Sequence, residues 1–137
     1  MHPNQDEIER LGRWGTGVAH CPSSNMILGA GLAPVAELRR AGVPVGLGCD
    51  GSASADSASL WLESRTALLQ GRLRAGMAGL TPGSFGAREA LEIATRGGAE
   101  CLGRRGELGE LSVGAAADLV IWGLEGVRYA GSLVDPI

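Results

Sequence analysis

The 137-residue chain reads as an α/β protein built on parallel strands. Three observations predict that class. Residues 43–50 form an apolar run of small and β-branched side chains ending on a carboxylate, Asp50. Such a run suits a strand buried on both faces, as parallel sheets require. Residues 16–50 read as strand, loop, helix and strand, which is a βαβ unit with a right-handed crossover. Finally, 23 glycines against one Phe and one Tyr fit closely packed α/β layers better than an aromatic-rich sandwich.

The elements follow in order. Residues 4–14 predict a helix: Ile8 and Leu11 stand three apart, acidic residues fill the first turn, and Arg10 and Arg13 complement the dipole near the end. Gly15 closes it. Residues 16–20 read as a short strand ending on His20, and residues 21–31 as a loop rich in Gly, Ser, Asn and Pro. Pro34 suits the first position of a helix reaching about residue 41, with Gly42 as its stop. The Asp50 strand comes next, and Pro44 is tolerated only near its start. His20 and Asp50 then finish parallel neighbours at one edge of the sheet. Residues 58–74 predict a long amphipathic helix with Leu62, Leu69 and Leu73 along its stripe. Thr81-Pro82-Gly83 marks a turn, residues 87–95 a helix, and residues 97–102 another short one. After Arg105 the texture changes. Residues 106–111 and 117–122 read as short strands about the Val113-Gly114 turn, which sets a boundary near residue 105.

Composition excludes several function classes. A net charge of -3 from 12 basic and 15 acidic residues gives no polybasic signal for nucleic acid or a membrane surface. Three widely spaced cysteines (Cys21, Cys49, Cys101) form no CxxC pair, which argues against a disulfide framework or a Cys-type zinc site. No apolar run of membrane-spanning length and no secretory leader pattern stands out. The expectation is a reduced, cytoplasmic, soluble protein.

Asp50 is the first candidate for chemistry. A charge is costly to bury unless paired, and parallel α/β folds keep their chemistry at the C-terminal mouths of strands. A carboxylate there can bind a divalent cation and move a proton, or it can cap backbone N–H groups. His20 and the following Pro22-Ser23-Ser24-Asn25 either line a pocket beside Asp50 or make an ordinary strand end and turn. The remaining polar groups take structural readings. His2 is frayed at the N-terminus, Cys49 packs on the face opposite Asp50, and Asp56 caps the residue-58 helix. Asp118 satisfies backbone groups, Glu63 and Arg65 lie on a solvated helix side, and Trp61 and Trp122 anchor the core. Hydrolytic zinc sites need three protein ligands plus water, and two histidines with no HxH or HxxxH pair do not supply them.

Four motifs stand in an order that resembles the amidohydrolase superfamily. They are His20-Cys21-Pro22-Ser23-Ser24-Asn25, Gly46-Leu47-Gly48-Cys49-Asp50-Gly51-Ser52-Ala53-Ser54, Ala94-Thr95-Arg96-Gly97-Gly98-Ala99 and Gly114-Ala115-Ala116-Ala117-Asp118-Leu119-Val120. Asp50 to Ser54 and Val127-Arg128-Tyr129-Ala130-Gly131 look most like the branch holding 8-oxoguanine deaminase and hydroxyatrazine ethylaminohydrolase. The resemblance implies a (β/α)8 barrel with a small β-sandwich-like domain. Residues 1–105 would be C-terminal strands and helices of that barrel, and residues 106–137 part of the composite β domain. Asp50 matches the aspartate that binds the metal and shuttles the proton, which makes it both catalytic and metal-binding, and zinc is the implied cofactor. His20, Ser24 and Asn25 match the substrate-bordering loop. The implied reaction replaces an amino group on a purine or triazine-like ring, with release of ammonia or an amine. A chlorohydrolase, an adenosine-type deaminase and a non-catalytic α/β module are the alternatives. The resemblance also implies a small heterocyclic substrate and a homo-oligomeric parent. Such a barrel needs about 250 residues, and the family's HxH, fifth-strand histidine and glutamate would all lie upstream. His2 falls just beyond the family's sixth-strand histidine and takes no role. The chain is therefore expected to be a C-terminal fragment, inactive alone, whose β structure would continue beyond Asp135-Pro136-Ile137.

Overall fold

A computed structural model describes residues 2–130; Gly131 and Asp135–Ile137 lie outside the described residues. Its centre is a two-stranded parallel sheet, β1 (Val18–His20) and β2 (Val45–Leu47), in the register Val18↔Val45, Ala19↔Gly46 and His20↔Leu47. Val18 N–H donates to Pro44 O (2.8 Å) and Gly48 N–H to His20 O (2.9 Å), so the pairing runs slightly past both ends. The parallel βαβ arrangement read from the sequence is present, with a shorter second strand. Val43 is taken up by the preceding helix end, and Pro44 has no N–H to give to a ladder.

Helix α1 (Gln5–Arg13) is set by a reciprocal cap. Asn4 Oδ1 accepts from Glu7 N–H (2.9 Å), and Glu7 Oε2 accepts from Asn4 N–H (2.7 Å). The predicted loop at residues 21–31 instead starts with a short helix, α2 (Pro22–Ile27), because Pro22 provides a preset first helical residue. Helix α3 (Val35–Arg40) has Pro34 as its cap rather than its first residue. Gly42 ends it at φ +76°, with Gly42 N–H on Arg39 O and Val43 N–H on Leu38 O. Those paired bonds satisfy the last carbonyls and turn the chain into β2.

Helices α5 (Ala87–Ala94) and α6 (Arg96–Cys101) pack on the sheet. A Cβ on Gly46 would come within 2.8 Å of Gly98 Cα, so this approach depends on glycine. Ile8, Val35, Leu38, Val43, Val45, Phe85 and Ile93 form the centre of the core.

Several expectations need correction. Helix α4 (Leu60–Met77) forms, but Leu62, Leu69 and Leu73 face outward. Its buried side carries Glu63, Ser64, Ala67, Gln70 and Ala75, so Glu63 is not solvated, whereas Arg65 is exposed as expected. Ser59, whose Oγ accepts from Leu62 N–H, caps α4 in place of Asp56. Trp61 and Trp122 are no core anchors; each is half exposed, and their rings stack at 4.2 Å. Residues 106–111 and 117–122 form no strand among the described residues, where one isolated bridge joins Arg105 and Leu108. A strand needs a neighbour for its N–H and C=O groups. No ladder partner reaches this stretch among the described residues, so Leu119, Val120, Ile121 and Asp118 stay exposed.

Candidate functional site at the mouth of the parallel pair

Parallel neighbours release their following loops at one edge, and here those loops meet. After β1, α2 carries the buried Ser24; after β2, the chain reaches the exposed Asp50. Ser24 Oγ donates to Asp50 Oδ2 at 2.6 Å, and Gly51 N–H donates to Oδ1 at 2.8 Å. Asp50 has φ +61°, the one non-glycine residue in the left-handed region among the described residues. Short polar side chains tolerate that conformation best, and strain of this kind concentrates at functional turns. The Ser24 hydroxyl, then the Gly51 amide and the Ser54 hydroxyl, hold the Asp50 carboxyl below its ordinary range.

His20 ends β1 only 4% exposed, and burial pushes its imidazole down to about 4 against the opposing pull of the Glu63 carboxyl. It is therefore neutral near pH 7, with Nδ1 buried and unpartnered among the described residues. Burial first, then the Asp50 and Glu63 carboxyls, raise the Cys21 thiol, which disfavours the nucleophilic thiolate. His20, Cys21, Asn25 and Asp50 line one recess of about 170 Å³. The structure thus brings together all four residues singled out from the sequence: His20, Asn25 and Asp50 around the recess, Ser24 bonded to Asp50.

Two further residues hold this edge. Glu63 is 2% exposed, and its Oε2 accepts from Ser23 N–H at 3.0 Å. Gln70 is 6% exposed, and its Nε2 donates to Pro22 O at 2.8 Å. The sequence signal for them is the spacing of Glu63, Ala67, Gln70 and Ala75, a face of small and polar residues opposite the leucines.

A larger hollow of about 360 Å³ lies beside Val43 and Val45, near the start of β2. Most of its charges are paired, with Arg39 and Arg96 both on Glu92 (2.7 and 2.9 Å) and Arg105 on Glu100 (3.3 Å). His2 is exposed, with its imidazole over Gly31. Cys49 is half-buried with a free thiol.

Zinc fits these residues poorly by themselves. Among the described residues, no group of three or more His, Cys, Asp or Glu side chains could hold a metal ion. Asp50 supplies one carboxylate, whereas a zinc site needs at least three protein ligands.

A strand-end carboxylate with a hydroxyl, an amide and an imidazole gathered at one sheet edge is the layout of an α/β enzyme mouth. The chain belongs to the amidohydrolase family, whose pattern matches residues 1–135. It is 50% identical over 137 residues to the 8-oxoguanine deaminase of Pseudomonas aeruginosa, covering 100% of this chain and 29% of that protein. The zinc-complexed atrazine chlorohydrolase of Arthrobacter aurescens superposes with a TM-score of 0.86 at 41% identity, over 96% of this chain and 28% of that one. A zinc-bound adenosine deaminase of Xanthomonas campestris superposes with a TM-score of 0.86 at 33% identity, over 95% of this chain and 29% of that one. The chain thus spans less than a third of the length of each. No helix among the described residues is long and apolar enough to cross a membrane.

Proposed function

We propose that this chain is the part of a zinc-dependent aminohydrolase that carries its proton-transferring aspartate. In this reading residues 1–105 are C-terminal units of a (β/α)8 barrel, and residues 106–137 begin a composite β domain. The substrate is a purine or triazine-like heterocycle such as 8-oxoguanine. Water adds at the ring carbon bearing the amino group, the C–N bond breaks, and ammonia leaves. The observation that carries the reading is the Ser24–Asp50 bond at the mouth of the parallel pair. It fixes an exposed, ionised carboxylate beside a recess shared with His20 and Asn25. Asp50 would take the proton from water and return it to the departing nitrogen. Neutral His20 and Asn25 would hydrogen-bond the ring. Zinc would use Asp50 and ligands from outside the described residues, so the 137-residue chain is inactive alone. The parent is a cytoplasmic homo-oligomer.

A second reading, displacement of ring chloride, is favoured by the likeness to atrazine chlorohydrolase. The test extends the reading frame upstream and assays the extended protein with zinc for ammonia release from 8-oxoguanine and chloride release from a chlorinated triazine. Ammonia release that Asp50→Asn lowers roughly 10²–10⁴-fold supports the proposal. An extended frame without further histidines, or full release in D50N, would overturn it. Chloride release alone would establish the second reading.

A further inference from the structure

We infer that Glu63 is a positioning residue for Asp50, acting through the backbone that joins β1 to Ser24. Its functional meaning rests on the reading of Asp50 as the reacting carboxylate; its geometry does not. Glu63 and Gln70 stand seven residues apart on α4, two turns along one face. The first side chain accepts the N–H of Ser23, and the second donates to the C=O of Pro22. Two adjacent residues are thereby held at a donor and an acceptor, which fixes both the height and the rotation of this segment. The next residue is Ser24, itself buried, whose hydroxyl meets Asp50 Oδ2 at 2.6 Å.

Asp50 needs such support because it is exposed and sits in a left-handed loop conformation. The Gly51 amide and the Ser54 hydroxyl, which also act on its carboxylate, belong to the same loop and move with it. The Ser24 hydroxyl therefore ties the carboxylate to the body of the fold, and Glu63 sets where that hydroxyl lies. A carboxyl as deeply buried as Glu63 is unfavourable without a partner. The arrangement places it where the first turn of α2 offers an otherwise unpaired N–H.

The test separates reach from charge in the isotope-labelled full chain. Glu63→Asp keeps the acid and retracts the acceptor by about 1.5 Å; Glu63→Gln keeps the reach and removes the acid. The readouts are hydrogen exchange at the Ser23 amide and the resonance of the Gly51 amide, which reports where the Asp50 carboxylate lies. E63D is expected to lower Ser23 protection roughly tenfold or more and to move the Gly51 signal as Ser24→Ala moves it. E63Q is expected to hold both near the parent values. Ser64→Ala, on the same buried face but with its hydroxyl donating to Trp61 O within α4, controls for a general disturbance of the helix. The inference falls if E63D leaves Gly51 unmoved, if E63Q behaves like E63D, or if S64A reproduces the shift. Failure of the extended protein to release ammonia would remove the chemistry assigned to Asp50 and leave these readouts unchanged.

Discussion

Helix α4 has two faces, and their difference runs against the usual pattern. The inward face holds Glu63, Ser64, Ala67, Gln70 and Ala75, all buried, while Leu62, Leu69, Leu73 and Met77 face outward. What lies against each face accounts for this. The inward face meets bare backbone at Pro22 and Ser23, which requires a donor and an acceptor. It also meets the Phe85 ring, which lies so close to Gly71 that a Cβ there would sit 2.5 Å from Phe85 Cδ1. Small and polar residues are therefore the ones that fit. On the outward side, Trp61 stacks on Trp122 of the exposed C-terminal stretch.

The largest effect is expected where the inward face packs tightly. Phe85 is 2% exposed, and Phe85→Ala removes a buried ring and leaves a cavity against Gly71. A loss of about 3–5 kcal/mol is expected from denaturant unfolding. A loss below about 1 kcal/mol would mean that this face is loosely packed and would undo the comparison.

A second effect is pH-dependent and concerns His20, the imidazole that Glu63 faces. Its folded pKa is about 4 against an ordinary 6.5, so between those values the unfolded chain binds more protons. Stability therefore rises with pH across that window and is lost as the pH falls through it. The contribution lost by about pH 4 is about 3 kcal/mol. His20→Gln should flatten the slope between pH 4 and 6.5, and direct titration of the His20 ring should give a value well below 6. A ring titrating at its ordinary value would show that the inward side is wet.

These effects mark how far the sequence was legible. The parallel pair, the α1 helix, the Gly42 stop and the meeting of His20, Ser24, Asn25 and Asp50 could be read because local chemistry and tertiary structure agree there. Residues 58–74 misled because their leucine stripe has the right period and cannot say which side meets the core. Glu63 was hidden for the same reason: its partner is a backbone N–H forty positions away. Residues 117–122 have the apolar, β-branched composition of a strand, but a strand forms against a neighbour, and the neighbour is no property of the stretch itself.

The smallest effect is expected on the outward face, and it is the sharpest test of the comparison. Leu73 is 58% exposed and Leu69 47% exposed, so replacing either with Gln removes little that folding had buried. Leu69→Gln and Leu73→Gln should each change unfolding free energy by less than ~0.5 kcal/mol. On the inward face, Ala67→Gln inserts a longer polar side chain beside the core and should cost about 1–3 kcal/mol. Equal costs on the two faces would mean that the leucines are covered in solution, and Trp61 would then sit beside a contact surface. Unequal costs, with L69Q and L73Q also reducing self-association, would show a free apolar face beside a polar side that holds the site.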